Sequence, residues 1–204
     1  FERVCATGGA GGDAAAYDEG RITFWRPLCP PGYLSLGDVP VRGSAEPPTE
    51  ACVIVKPGQV AGRPTVVAAE TNEVVWSMPH LQLHRPAVSS RPGFVALGMF
   101  ADKPGSLGRA HRVACVHESA VSPSLVSQCL WSYRGVGTRT APVSLWEVDN
   151  HAHTFIGHAS VRRPRASAAL QLTAAPVRAQ TGSVALVRWL VRVLVECGGA
   201  SGRR

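Results

Sequence analysis

The sequence predicts an all-β protein, an antiparallel β-sandwich built from two tandem related units. Three observations point there. Short apolar runs rich in β-branched and aromatic residues follow one another from Arg21 onward, each bounded by Gly, Pro, Asn or Ser. Gly (21) and Pro (16) are abundant and charged residues make up only 17% of the chain, a composition that suits many short strands and turns. No long window repeats its apolar residues with helical spacing until the C-terminal end.

The elements follow in order. Residues 1–20, with "ATGGAGGDAAAYDEG", read as a flexible lead-in. Residues 21–165 are the β domain, with units over about 21–79 and 80–160. The runs "RITFW", "GYLSL", "ACVIV", "TVVAA" and "EVVWS" are strands of the first unit. "LQLH", "GFVALGMF", "RVACV", "CLWSY", "VSLWEV" and "TFIGHAS" belong to the second. Residues 166–204 form a tail. Within it Arg188, Arg192 and Glu196 make one polar stripe on an otherwise apolar 183–196 segment, which predicts a short helix. Such a helix would be about 20 Å long, too short to span a bilayer. It suits a membrane interface or packing on a neighbouring part of a larger protein, and its valines also allow a buried strand.

The two units are visible as a repeat. "RPLCPPGYLSLGD" from Arg26 aligns with "RPAVSSRPGFVALGM" from Arg85. Arg26-Pro27 meets Arg85-Pro86, Pro31-Gly32-Tyr33 meets Pro92-Gly93-Phe94, and Leu36-Gly37 meets Leu97-Gly98, at a spacing of about 61 residues. Asp38 meets Met99. A third start, "VSLWEVDN", lacks both the Arg-Pro and the Pro-Gly and reads as the close of the repeat. With side chains alternating between sheet faces, Ile22 and Phe24, Leu81 and Leu83, and Val143 and Leu145 each share one face. Trp25, His84 and Trp146 then hold equivalent places on the other. Pro27 marks a strand exit, the Pro30-Pro31 pair a rigid extended corner, Gly32 a turn that a side chain would obstruct, and Gly37-Asp38 a further turn.

The formal charge is +7, nearly all of it arginine, with Lys56 and Lys103 the only lysines. The arginines scatter along the chain instead of forming an aromatic-studded basic face, which argues against a nucleic-acid binder. Their tightest groups are Arg162-Arg163-Pro164-Arg165 and Arg203-Arg204. No run of 18 apolar residues and no signal-peptide pattern is present, so no ordinary membrane span is expected. None of the six cysteines forms a C-x-x-C pair, and Cys52, Cys115 and Cys129 lie in apolar runs. They read as free thiols acting as small hydrophobes.

No catalytic set is legible: there is no G-x-S-x-G, phosphate loop or dinucleotide fingerprint. His151 and His153 would share a strand face near Asp149, but nothing completes a metal site. Glu147 and Asp149 lie side by side, whereas a glycosidase needs carboxylates set across a cleft. No catalytic, metal or cofactor residue is therefore assigned. Trp25, Trp76, Trp131 and Trp146 recur at equivalent places, which points to core roles; exposed instead, and joined by Asp149-Asn150, they would make a lectin-like carbohydrate binder.

Taken together, the Trp25-Arg26-Pro27, Pro-Gly-aromatic and Leu-Gly-Asp elements, closed by Trp146-x-x-Asp149-Asn150, resemble the signature of the vacuolar protein sorting-associated protein 62 family. That repeat region also occurs in plant and algal vacuolar protein sorting-associated protein 13. The resemblance covers residues 21–160, with His84 for Trp and Met99 for Asp as departures. It implies a non-enzymatic interaction or targeting module, without cofactor, in a larger lipid-transfer or membrane-trafficking protein. The partners implied are protein adaptors, including proline-containing motifs, together with peripheral membrane association and no nucleic acid. The implied location is cytoplasmic, at endosomal or vacuolar membranes or at membrane contact sites.

Overall fold

The computed structural model describes residues 1–7, 20–48, 52–60, 63–106, 113–135, 141–150 and 152–173. It is all-β, as the composition predicts. The strands are β1 (Glu2–Ala6), β2 (Ile22–Arg26), β3 (Leu34–Ser35), β4 (Val39–Arg42), β5 (Ile54–Val55), β6 (Gly58–Val60), β7 (Arg63–Ala68), β8 (Thr71–Met78) and β9 (Leu81–Ala87). They continue as β10 (Phe94–Val95), β11 (Phe100–Asp102), β12 (Ala114–His117), β13 (Val121–Pro123), β14 (Val126–Tyr133), β15 (Val143–Val148), β16 (Phe155–His158) and β17 (Leu170–Leu172). Among the described residues these strands pair antiparallel, and one isolated parallel bridge joins Ser35 to Val113.

The sheets fall into a pattern. Three of them are antiparallel triplets, ordered β1-β2-β4, β8-β9-β11 and β14-β15-β16. The central strands, β2, β9 and β15, are the "ITFW", "LQLH" and "VSLW" segments that align in the sequence. The first two triplets run from central to third strand through a Pro-Gly corner. The third uses the short Asp149–Thr154 connection, as expected of a segment without those residues. Ile22, Phe24, Leu81, Leu83, Val143 and Leu145 all turn inward, and the three triplets close over one core containing these side chains with Trp76, Met99, Trp131 and Phe155. Alternation thus assigns the buried face of each central strand correctly.

A second core lies under the short sheets β3-β5, β10-β12-β7-β6 and β13-β17. It collects Leu36, Val55, Val66, Leu97, Ala114, Val116 and Ala152. The Leu36-Gly37 and Leu97-Gly98 pairs lie where the cores meet, each leucine in this second core and each glycine against a neighbouring segment.

Part of the expected lead-in is ordered strand. Residues 2–6 form β1, which pairs with β2 and buries Cys5. The glycine-rich sequence after it masks a short alternating segment whose inward thiol completes the core beside Phe24. The 8–19 stretch and the 183–196 segment lie outside the described residues. Among the described residues, Cys5 and Cys115 are buried free thiols, and no helix is long and apolar enough to cross a membrane.

Candidate interaction surface

The signature residues first have to be separated into those that hold the fold and those that face outward. Arg26 ends β2 with its side chain buried, and Asp38 is the fully buried partner. The guanidinium donates from Nε to Oδ1 at 2.9 Å and from Nη2 to Oδ2 at 3.0 Å. It also donates to the Ala101 carbonyl at 2.6 Å, while the Ala101 amide donates to Asp38 Oδ2 at 2.9 Å. Asp38's own amide donates to the Met99 carbonyl at 3.0 Å. This fork joins the first triplet to β11 of the second. The chain bends at Gly37, and the Gly37-Asp38 pair is a buried junction. Full burial pushes the Asp38 carboxyl above its ordinary value, against the pull of the Arg26 guanidinium and the Ala101 amide.

Arg26 also lies over the Phe100 ring, 5.6 Å from its centroid. His84 stacks on that ring with centroids 4.9 Å apart and planes 11° from parallel. Asn72 Nδ2 sits 2.6 Å from His84 Nδ1, in hydrogen-bond contact. His84 Nε2 and Asp102 Oδ2 are buried without a hydrogen-bond partner among the described residues. Burial holds the His84 imidazole below its ordinary value, with Asp102 pulling the other way and Arg26 reinforcing it. His84 is thus a packed junction residue and opens no polar site.

The second unit shows what the loss of the aspartate does. Met99 occupies the Asp38 position, and its sulfur accepts the Gly157 amide at 2.8 Å. No carboxylate is left there for an arginine, and Arg85 turns outward to an exposed contact with Glu73 at 3.2 Å. Pro86 is buried within β9, opposite Asn72. The two glycine pairs differ in purpose. Gly32 (φ +81°) and Gly93 (φ +83°) need the left-handed backbone, and nothing lies within 4 Å of a Cβ at Gly32, so conformation and not obstruction selects it. A Cβ at Gly98 would meet Thr154 Cβ at 2.7 Å and the Leu36 carbonyl at 2.9 Å; one at Gly37 would meet the Met99 carbonyl at 2.8 Å.

In the third triplet Asn150 replaces the corner. Its amide nitrogen donates to Thr154 Oγ1 at 2.8 Å and the Leu170 carbonyl at 2.9 Å, while its oxygen accepts the Ala152 amide at 3.1 Å. Thr154 Oγ1 in turn donates to the Leu97 carbonyl at 2.9 Å, tying this turn to the second unit. Asp149 is exposed, and its amide donates to the Leu125 carbonyl at 2.8 Å.

The tryptophans divide. Trp76 and Trp131 lie in the core, with ring centroids 6.1 Å apart. Trp25 and Trp146 are only half-buried and lie on the opposite strand face, outside the central core; Trp146 packs instead with Ile156 against a smaller cluster of Val126, Val148 and Ala169. Trp146 donates to Ser144 Oγ at 2.7 Å and carries the Arg163 guanidinium 6.0 Å above its ring. His153 is exposed with φ 47°, His158 is half-buried, and His151 lies outside the described residues. No group of three or more metal-ligating side chains comes together among the described residues.

What faces outward is apolar at a few places. Leu28 is 64% exposed on the proline corner, where Pro30, Pro31 and Gly32 are exposed and the Tyr33 amide closes the turn on the Pro30 carbonyl at 3.0 Å. Pro92, on the second corner, is exposed, and Phe94 meets His117 edge-on at 5.3 Å. Leu125 is 64% exposed and Val161 45%. Local sequence does not single out these side chains, because a lone Leu or Val in a loop reads the same whether it is covered or not.

No family model matches the chain, and no curated protein matches it. Among solved structures it is similar to GNIP1Aa from Chromobacterium piscinae, with a TM-score of 0.56 and 19% identity. The likeness covers 76% of this chain and 31% of that one, so the chain spans under a third of that protein's length. At that identity the similarity is one of fold.

Proposed function

We propose that the chain is a non-enzymatic interaction and targeting module of a vacuolar protein sorting-type protein, one part of a larger lipid-transfer or membrane-trafficking protein. Its partners are protein adaptors and membrane surfaces. One observation carries the reading: the charged pair of the repeat signature, Arg26 and Asp38, is spent inside the fold, while the rigid proline corner beside it presents Leu28 to solvent. A scaffold that consumes its own charges and displays apolar side chains on stiff corners is built to be recognised. The lectin-like alternative needs an open aromatic face. Trp76 and Trp131 are buried, and of the two half-buried tryptophans, Trp25 and Trp146, the second has Arg163 over its ring, so at most two of the four offer any ring to solvent.

Proximity labelling tests the proposal. The full chain, fused to a biotin ligase in a cell with endosomes or a vacuole, is expected to enrich trafficking adaptors and endosomal or vacuolar membrane proteins over the ligase alone. Equal labelling by the two, with the fusion folded, would overturn it.

A further inference from the structure

We infer that the loop over residues 159–165 and the β13–β14 connection together form a docking surface for anionic phospholipid headgroups. The inference rests on reading the chain as a targeting module and assigns that module a membrane-facing site. The loop carries Arg162, Arg163 and Arg165 with no acidic residue. Arg163 is the anchor: its guanidinium donates to the Val126 carbonyl and lies over Trp146. That contact seats the loop beside the start of β14, where Leu125 is exposed. Further pins are the buried Pro164, the bond from Ser144 Oγ to the Ser160 carbonyl, and the Arg162 amide donating to Ser160 Oγ at 3.1 Å. With Arg163 engaged, Arg162 and Arg165 project as exposed cations without an ion-pair partner among the described residues, flanked by the exposed Val161 and Leu125.

Two carboxylates, Glu147 and Asp149, lie nearby against the three arginines. Glu147 accepts from the neutral donors Ser127 Oγ at 3.2 Å and Gln128 Nε2 at 2.8 Å, which hold it in place. Asp149 is exposed, and its amide donates to the Leu125 carbonyl at 2.8 Å, so its carboxylate opposes binding beside Leu125. Exposed arginine forks beside exposed aliphatic side chains match a bilayer interface, where phosphate and carboxylate headgroups meet the acyl boundary. A nucleic acid would use the charge alone and leave Leu125 and Val161 unexplained.

The test uses the full chain and sedimentation with vesicles of phosphatidylcholine alone, or with about one third phosphatidylserine, at near-physiological salt. The wild type is expected to pellet only with the phosphatidylserine vesicles and to release at high salt. Each surface arginine contributes about fivefold in partitioning, so Arg162→Glu with Arg165→Glu should weaken it by about 25-fold or more. Leu125→Asp should weaken it several-fold and Asp149→Asn should strengthen it. All four substitutions are at exposed side chains, and melting temperature monitors the fold. No vesicle binding by the wild type, equal binding to both vesicles, or undiminished binding by the folded double variant would each overturn the inference. Absent vesicle binding with intact proximity labelling would leave the targeting module standing, through an adaptor; loss of both would remove the reading itself.

Discussion

At the scale of single residues, the charged part of the signature is structural. Asp38→Met copies what the second unit has at Met99, but it strands the buried Arg26 guanidinium. It should cost about 3–5 kcal/mol in urea unfolding. Arg26→Leu added to it should recover much of that loss, because the buried charge goes with its partner; no recovery would mean the two act independently. His84 gives a pH dependence whose sign follows from its burial. Its folded-state value lies below the ordinary 6.5, so the unfolded chain takes up the proton first as pH falls. The stability it contributes is full above about 6.5 and is lost as pH drops toward the depressed value. The groups facing the ring are Asp102, Arg26 and Asn72. Melting temperature measured from pH 7.5 downward should fall less steeply in His84→Gln than in the wild type. Burial also pushes the Cys5 and Cys115 thiols up to about 12. Both should stay unreactive to a thiol reagent at pH 8 until the protein unfolds, and mass spectrometry of the labelled chain would show it.

At the scale of elements, the glycine pairs tell apart backbone conformation and close approach. Gly98→Ala drives a methyl group into Thr154 and the Leu36 carbonyl, and should cost about 1–3 kcal/mol in urea unfolding. Gly32→Ala meets no neighbour and pays only for its left-handed backbone, about 1–2 kcal/mol, so its effect should be the smaller. The central strands were readable from the sequence because alternation and the repeat agree: inward Ile22 and Phe24, Leu81 and Leu83, Val143 and Leu145 are all in one core. The proline corners were readable because Pro and Gly restrict the backbone locally. The Asp38 junction was not, because its partners Arg26 and Ala101 are 12 and 63 residues away and Gly-Asp elsewhere marks a turn. Strand β1 was missed because five residues carry too short a pattern to stand out before a glycine-rich stretch. Recurrence preserves a strand face without saying which core that face meets: Trp76 and Trp131 fill the central core, Trp146 packs on a smaller cluster, and Trp25 on the same outer face is half-buried.

At the scale of the whole molecule, three antiparallel triplets share one core, and short sheets with the leucines of the Leu-Gly pairs build a second beneath it. The Leu-Gly pairs of the signature, with Arg26, Pro27, Asp38 and Pro86, are buried in this interior, while Pro31, Gly32, Arg85, Pro92 and Asp149 are exposed. What distinguishes the outside is a small number of exposed apolar side chains on stiff connections and the arginine loop over 159–165. The candidate surface was therefore only half legible: the Arg162-Arg163-Pro164-Arg165 cluster stands out in the sequence, but its seating beside Leu125 depends on Arg163 reaching across to β14. The most direct measurement of the central claim, that this scaffold exists to place a protein at membranes, is imaging of the full chain fused to a fluorescent protein in a cell with endosomes or a vacuole. The account predicts signal concentrated at endosomal or vacuolar membranes, and a uniformly diffuse signal from a folded fusion would contradict it.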